Sequence, residues 1–266
     1  MKKILTGVFM VAMAGCLAAC GNKSVKQVKI VSDSTYADNL YESETNQEEP
    51  ADNTVSFDNS FTVNKENVIK EMNAKPDFAE TYPDLESIYN KASNVVVGEV
   101  MDISYTDDEA IPRTIYSFKV SDSLKGDIET NSLISISESN GYVRMSTFVK
   151  EYGTDHFQDI TEQEIENGII LESLGDAPLP ETGDKYVAFL GTKKQEGRIK
   201  GAYAVIGNFM GKYVLDNESN MYSRYCPSED AGLYTTKNAN ARAAVKEQPM
   251  SLENIKQEIL SFSVDK

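Results

Sequence analysis

Short stretches of alternating apolar and polar residues dominate the chain from residue 94 to residue 215. This pattern predicts β-strands. Gly98 lies within the first stretch and indicates a bulge or a tight bend, and Asn140-Gly141 is typical of a hairpin turn. We expect seven strands, at residues 94–105, 114–124, 132–137, 142–149, 185–190, 203–206 and 212–215. The last two should form a hairpin.

Helical spacing of apolar residues flanks these strands. Residues 84–92 have apolar positions on one face, and residues 252–262 do the same with Ser251 as the N-cap. Thr161 and Glu164 match a capping box for a short helix. The strands and helices together predict a mainly β domain, a small barrel or sandwich with a helix before it and an amphipathic C-terminal helix.

The first twenty residues have a different pattern. Lys2 and Lys3 precede an apolar run that is too short to span a bilayer comfortably, which is typical of a secretory signal peptide. The run ends in Leu17-Ala18-Ala19-Cys20, which resembles the lipobox of bacterial lipoproteins. The resemblance implies cleavage after residue 19 and acylation of Cys20, with diacylglycerol and often palmitate. An ordinary signal peptide with a chance cysteine is the alternative.

From Gly21 to about Ser60 the chain contains few large apolar side chains, and residues 31–60 are rich in Ser, Asp, Asn, Glu and Thr. Such a segment buries too little apolar area to offset the entropy of ordering, so we expect a flexible tether. Residues 57–63 could begin a short strand, and residues 64–74 could form a short helix. The expected organisation is therefore a signal peptide at 1–19, a tether at 20–75 and the β-barrel domain with its C-terminal helix at 76–266.

Composition narrows the possible partners. The formal net charge is −16, which argues against nucleic acid, because phosphate binding depends on Lys and Arg. It also argues against electrostatic attachment to anionic lipid, so acyl chains on Cys20 would hold the protein at the extracellular face of the membrane. Only Cys226 would remain as a thiol, so no intramolecular disulfide is expected. Lysine and asparagine abundance hints at a low-GC Gram-positive source.

Residues 92–100, the strand around Tyr116 that ends in Leu124-Lys125-Gly126, and the strand at 183–190 carry a further resemblance. The combination is similar to uncharacterised bacterial lipoproteins and to the netrin-like domain shared with tissue inhibitors of metalloproteinases. It covers roughly residues 85–215 and implies an OB-like β-barrel of six or seven strands. Those inhibitors use paired cysteines and a free N-terminal cysteine that reaches a metal. This chain lacks the pairs, so the resemblance implies the fold alone.

Catalytic signatures are sparse. The chain has no G-x-S-x-G, H-E-x-x-H or Walker A motif. A hydrolase using His156, the single histidine, or Cys226 is one hypothesis, although an exposed loop histidine and a buried cysteine explain these residues as well. No metal site, cofactor or catalytic residue is predicted, and the acidic groups at 155–166 and 216–220 are interpreted as solvated surfaces. The latter lacks the glycine and glutamate of an EF-hand.

We therefore expect a non-enzymatic binding or inhibitory module for an envelope or extracellular protein or peptide. A cell-wall glycan binder is a second hypothesis, because aromatic rings stack on sugars. Five tyrosines late in the chain suggest it: Tyr203, Tyr213, Tyr222, Tyr225 and Tyr234.

Overall fold

The structure of the chain, a computed structural model, describes residues 52–74, 80, 82–157, 159–175, 177–225 and 248–264. Its strands are β1 (Asp52–Asn53), β2 (Val68–Ala74), β3 (Asn94–Thr106), β4 (Arg113–Lys125), β5 (Leu133–Glu138), β6 (Gly141–Arg144), β7 (Ile169–Leu174), β8 (Lys185–Leu190), β9 (Tyr203–Ala204), β10 (Lys212–Asp216) and β11 (Met221–Arg224). Its helices are α1 (Leu85–Lys91), α2 (Met145–Tyr152), α3 (Glu162–Asn167) and α4 (Leu252–Val264).

Eight strands form the larger sheet, in the order β1-β5-β4-β3-β8-β10-β11, with β9 added to β5. The pairs β1–β5 and β5–β9 are parallel, and the other pairs are antiparallel. The two longest strands, β3 and β4, form the centre. Their register shifts at Gly98, where an added Cβ would lie 2.2 Å from the carbonyl oxygen of Lys119. The bulge predicted at Gly98 is therefore confirmed.

The smaller sheet has the order β2-β7-β6, with β2 and β7 parallel. Helix α2 packs on this sheet through Met145 and Phe148, which join Val143 and Ile170 in a separate apolar cluster. The buried carboxylate of Asp107, at the turn after β3, binds the guanidinium of Arg144 at 2.6 Å. This ion pair ties the smaller sheet to the turn between β3 and β4.

The expectation of a mainly β fold is confirmed, but that of a small closed barrel is wrong. Within the described residues the larger sheet is open in its strand order, with β1 and β11 at its edges. A second sheet exists that the sequence did not indicate, and the part of the chain that the structure describes contains eleven strands rather than six or seven. Strand β9 pairs with β5, and a bridge between Leu190 and Val205 connects the residue after β9 to β8.

The two flanking helices are where the sequence predicted them. Asp84 caps α1 through the backbone N–H of Ser87, and Ser251 accepts from the N–H of Asn254 at the start of α4. Ile255 and Ile259 of α4 are buried against α1 and the outer face of the larger sheet. That face contributes Val95, Val97, Val187, Phe189 and Tyr213. The C-terminal helix thus covers one face of the sheet.

Three local predictions were wrong. Residues 145–149 are helical rather than a return strand, because Met145, Phe148 and Val149 follow the spacing of a helix face. Strand β6 leaves the turn at Gly141 to join the smaller sheet, so β5 and β6 form no hairpin. Strand β9 pairs with β5 while β10 pairs with β8 and β11, so the expected last hairpin is also absent from the described residues.

The predicted tether reaches too far along the chain. Residues 68–74, proposed as part of a short helix, form β2 and pair with β7 over six positions. Phe61 makes a single bridge with Tyr105 rather than starting a strand. Ordered strands therefore begin before residue 76. The signal peptide and residues 20–51 of the tether lie outside the described residues.

The buried face of α4 should make a large contribution to stability. Replacing Ile255, which is fully buried, with Ala should lower the free energy of unfolding by about 2–5 kcal/mol, because the change removes packing and leaves a cavity. The matched control is Leu260→Ala on the exposed face of the same helix, with an expected change within about 0.5 kcal/mol. Urea denaturation monitored by circular dichroism measures both. Equal losses would contradict this packing.

Candidate functional site

The structure does not place His156 in a catalytic arrangement. Its side chain is exposed, and its ring packs edge-on against Phe148 with 6.0 Å between ring centroids. Its backbone carbonyl accepts a hydrogen bond from Lys70 Nζ at 3.4 Å. Within the described ranges, no hydrogen bond or ion pair involves the imidazole. Cys226, the proposed nucleophile, and Cys20, the predicted acylation site, both lie outside the described residues.

The two acidic groups have local structural roles. Glu164 accepts from the backbone N–H of Thr161, and Thr161 caps α3 in return, as the capping box predicts. Asp216 accepts from the N–H of Glu218 in the turn after β10, and this hydrogen bond lowers the pKa of the Asp216 carboxyl. Among residues that the structure describes, no three His, Cys, Asp or Glu side chains are close enough together to hold a metal ion.

The late tyrosines do not form one surface. Tyr213 and Tyr222 are buried in the core beneath α4, and Tyr203 is half-buried on β9. Tyr225 lines a cavity and donates a hydrogen bond to the carbonyl of Gly175 at 3.0 Å. Tyr234 lies outside the described residues.

The cavity at Tyr225 has a volume of about 410 Å³ and is bounded by both sheets. The smaller sheet contributes Tyr142 and Leu171, and the larger sheet contributes Tyr186, Lys212 and Val214. The segment between β7 and β8 covers one side. The remaining lining residues are Lys65, Pro178, Leu179, Glu181, Asp184, Phe209 and Tyr225.

Lys212, which lines the cavity, forms a buried ion pair with Glu138 behind it, and we call this pair the floor of the cavity. Lys212 Nζ lies 2.7 Å from Glu138 Oε1 and 2.8 Å from Glu138 Oε2. The Lys212 side chain is 5% exposed and that of Glu138 is 0% exposed. Removing two charges from water is costly, so such a pair persists only with close geometry and additional hydrogen bonds.

Two tyrosines complete the network. The Tyr116 hydroxyl donates to Glu138 Oε1 at 2.7 Å, and the Tyr186 ring centroid lies 4.9 Å from Lys212 Nζ. The Lys212 ammonium therefore has a carboxylate on one side and an aromatic face on another. Burial, and then the charge of Glu138, raise the pKa of the Tyr116 hydroxyl well above its ordinary value.

Two more carboxylates lie at the rim. Asp184 Oδ2 accepts the Tyr186 hydroxyl at 2.6 Å and the Glu181 backbone N–H at 2.9 Å. The Glu181 carboxylate is largely exposed and lies 3.5 Å from Lys65 Nζ, which is also exposed. Burial first, then the hydrogen bond to Asp184 and the charges of Glu138, Asp184 and Glu181, raise the pKa of Tyr186.

Sequence reasoning missed the floor of the site. Lys212 begins a predicted strand and Glu138 directly follows one, and a charged residue at such a place ordinarily points to solvent. They are 74 positions apart, and nothing local connects them. The available signal was the position of Lys212 between buried Gly211 and Tyr213, in a stretch with no other charge from Gly201 to Leu215.

Replacing one partner of the Lys212–Glu138 ion pair should destabilise the fold strongly, whereas replacing both partners with apolar residues should destabilise it little. Lys212→Met leaves the Glu138 carboxylate buried without its partner, so the free energy of unfolding should fall by about 3–5 kcal/mol. The double variant Lys212→Met/Glu138→Leu should recover most of this loss, because neither charge remains buried. Urea denaturation of the single and double variants provides the measurement.

The control is the exposed pair formed by Lys185 and Glu99 at 3.9 Å. Lys185→Met should change the free energy of unfolding by less than about 1 kcal/mol. If Lys212→Met cost no more than this control, the buried pair would not stabilise the fold as described.

The functional proposal for this chain is based on the geometry of the site rather than on similarity to known proteins. No protein-family model matches the chain, and no curated protein matches it significantly. In the described part of the chain, none of the helices is both long and apolar enough to cross a membrane.

Proposed function

We propose that the protein is a lipoprotein held at the extracellular face of a cell membrane by lipid on Cys20, and that its β domain binds an extracellular protein or peptide. The cavity between the two sheets carries the binding part of this proposal. Its volume, about 410 Å³, falls within the range of small ligand sites and suits a side chain or a short peptide segment. The lipobox pattern carries the anchoring part.

A binding role fits the chemistry of the lining residues better than catalysis does. Among the residues that the structure describes, the lining contains no serine, threonine, cysteine or histidine, the residue types that supply the usual nucleophiles and the most common general base. Its one buried amine, Lys212, is engaged by Glu138. The hydrolase hypothesis would use His156 or Cys226. His156 is exposed and does not line this cavity, and Cys226 lies outside the described residues.

The glycan hypothesis has less support. Sugar stacking requires accessible aromatic faces, whereas the Tyr186 and Tyr142 side chains are almost fully buried. A peptide that enters with one side chain makes better use of a half-enclosed site. We therefore retain peptide binding as the leading function.

The strand connections give partial support to the resemblance with netrin-like domains. Strand β5 pairs with β9 in parallel, and the Leu190–Val205 bridge links the end of β9 to β8. Together with the β8–β3–β4–β5 order, these contacts suggest an OB-like arrangement that is incompletely closed. We propose this relationship for the larger sheet alone, and it carries no inhibitory mechanism.

The anchoring proposal predicts a specific cysteine dependence. Cys20→Ser should prevent acylation, because the lipid is attached to the thiol. The variant should therefore not reach the mature form that is anchored in the membrane by lipid. Mass spectrometry of the purified protein detects the diacylglyceryl modification, and membrane fractionation follows the location. Cys16→Ser is the matched control and should leave both unchanged. An unmodified thiol at Cys20 in the native protein would contradict the proposal.

The binding proposal predicts where a partner contacts the domain. A photoreactive benzophenone amino acid placed at Leu179, beside the cavity, should crosslink to an envelope protein or peptide in intact cells. The same amino acid placed at Leu260, on the exposed face of α4, should not give that product. Identical products from both positions, or none from Leu179, would contradict a ligand site at the cavity.

A further inference from the structure

The charged groups of the cavity differ in whether they can interact with a ligand. Lys212 and Glu138 neutralise one another at the floor, with both oxygens of Glu138 within 2.8 Å of Lys212 Nζ. The remaining charges are the Asp184 and Glu181 carboxylates and the Lys65 ammonium. The Lys65–Glu181 contact is 3.5 Å long between side chains that are 77% and 73% exposed. Water screens such a pair, so Lys65 offsets the rim carboxylates only in part, and the formal charges of Lys65, Glu181 and Asp184 sum to −1.

The lining therefore disfavours an anion and favours a cation. An anionic group would meet Asp184 and Glu181 on entry, while the positive charge at the floor is already engaged by Glu138. The aliphatic side chains of Leu171, Leu179 and Val214 also line the cavity and are only partly buried. Carboxylates pair with an ammonium group, and aliphatic side chains pack against the methylene stem that carries it.

From this combination, we infer that the cavity accepts an alkylammonium group of a cationic peptide, with Asp184 and Glu181 as ion-pair partners and the aliphatic side chains of Leu171, Leu179 and Val214 among its walls. The inference rests on the proposed function, since it names the ligand chemistry of that same site. A lysine side chain and a free peptide N-terminus carry the same ammonium group, and either could enter a cavity of this size.

A metal ion is a poorer occupant of the same space. Metal sites use several convergent oxygen, nitrogen or sulfur ligands. No such group of three acidic, histidine or cysteine side chains occurs in the regions that the structure describes. Asp184 already accepts two hydrogen bonds from the protein. The aliphatic walls would contribute nothing to a hydrated divalent ion, whereas they match the apolar stem of an alkylammonium group.

The test is calorimetric titration of the full-length protein in detergent micelles with four forms of one pentapeptide. The peptide has glycine at four positions, a central lysine and an amidated C-terminus. Its two amines are both free, acetylated at the N-terminus, acetylated at the side chain, or acetylated at both. We expect binding when at least one amine is free and loss of binding when both are acetylated. The singly acetylated forms identify which amine enters.

Charge-neutral variants locate the contact. Glu181→Gln and Asp184→Asn should each weaken binding of the free-amine peptide by about fivefold, because each removes one ion-pair partner. Asparagine retains an oxygen that can accept the Tyr186 hydroxyl, and circular dichroism checks that both variants fold. The matched control is Glu196→Gln, an equal change of charge at an exposed position outside the lining, and its affinity should stay within about twofold.

Each result decides the inference. Binding that survives acetylation of both amines, or equal affinity for the two rim variants and Glu196→Gln, would overturn the cationic ligand while leaving peptide binding at the cavity intact. Absence of binding by all four peptides at millimolar concentration would also overturn it. Crosslinking from Leu179 would then decide the proposed function separately.

Discussion

The buried Lys212–Glu138 ion pair constrains the shape of the larger sheet. Strands β10 and β5 carry its two partners, and three strands lie between them in the sheet order. Their side chains meet only if the sheet curls strongly, so that both point toward a shared interior. Tyr116 and Tyr186, on β4 and β8, make a 6.3 Å ring contact across β3 for the same reason. An unpaired charge in this interior would be costly, so the ion pair favours the curvature at which Lys212 and Glu138 meet.

The curled sheet explains both cores and the cavity. Its outer face is covered by α1 and α4, and its inner face fills with Val96, Phe118 and Ile136 among others. At the end of the sheet near Lys212, the filling comes from the smaller sheet and the segment between β7 and β8 instead. These separate elements leave space between them. The cavity therefore lies where two sheets meet, a common location for ligand sites.

Local chemistry made much of the fold predictable. The long strands β3 and β4 follow clear alternation, and α1, α3 and α4 begin at capping residues that the sequence displays. Partner choice was not predictable in the same way. Gly141 follows Asn in a typical hairpin turn, yet β6 pairs with β7 because Tyr142, Val143 and the following helix bury apolar surface in the second sheet. Tertiary burial outweighed turn preference.

The site was not predicted because it depends on residues of common types that are far apart in the sequence and form a pair only in the folded chain. His156 attracted attention as the single imidazole, but scarcity says nothing about position. Glu138 and Lys212 are common residue types whose role appears only after the sheet curls. Because Glu138 neutralises Lys212, the ammonium group of Lys212 is not available to a ligand. Selectivity between ligands then depends on the exposed side chains at the rim. The floor is fixed and needs no reorganisation upon binding, so the entropic cost of ordering side chains falls on those at the rim. The charges at the rim should therefore determine which ligands bind.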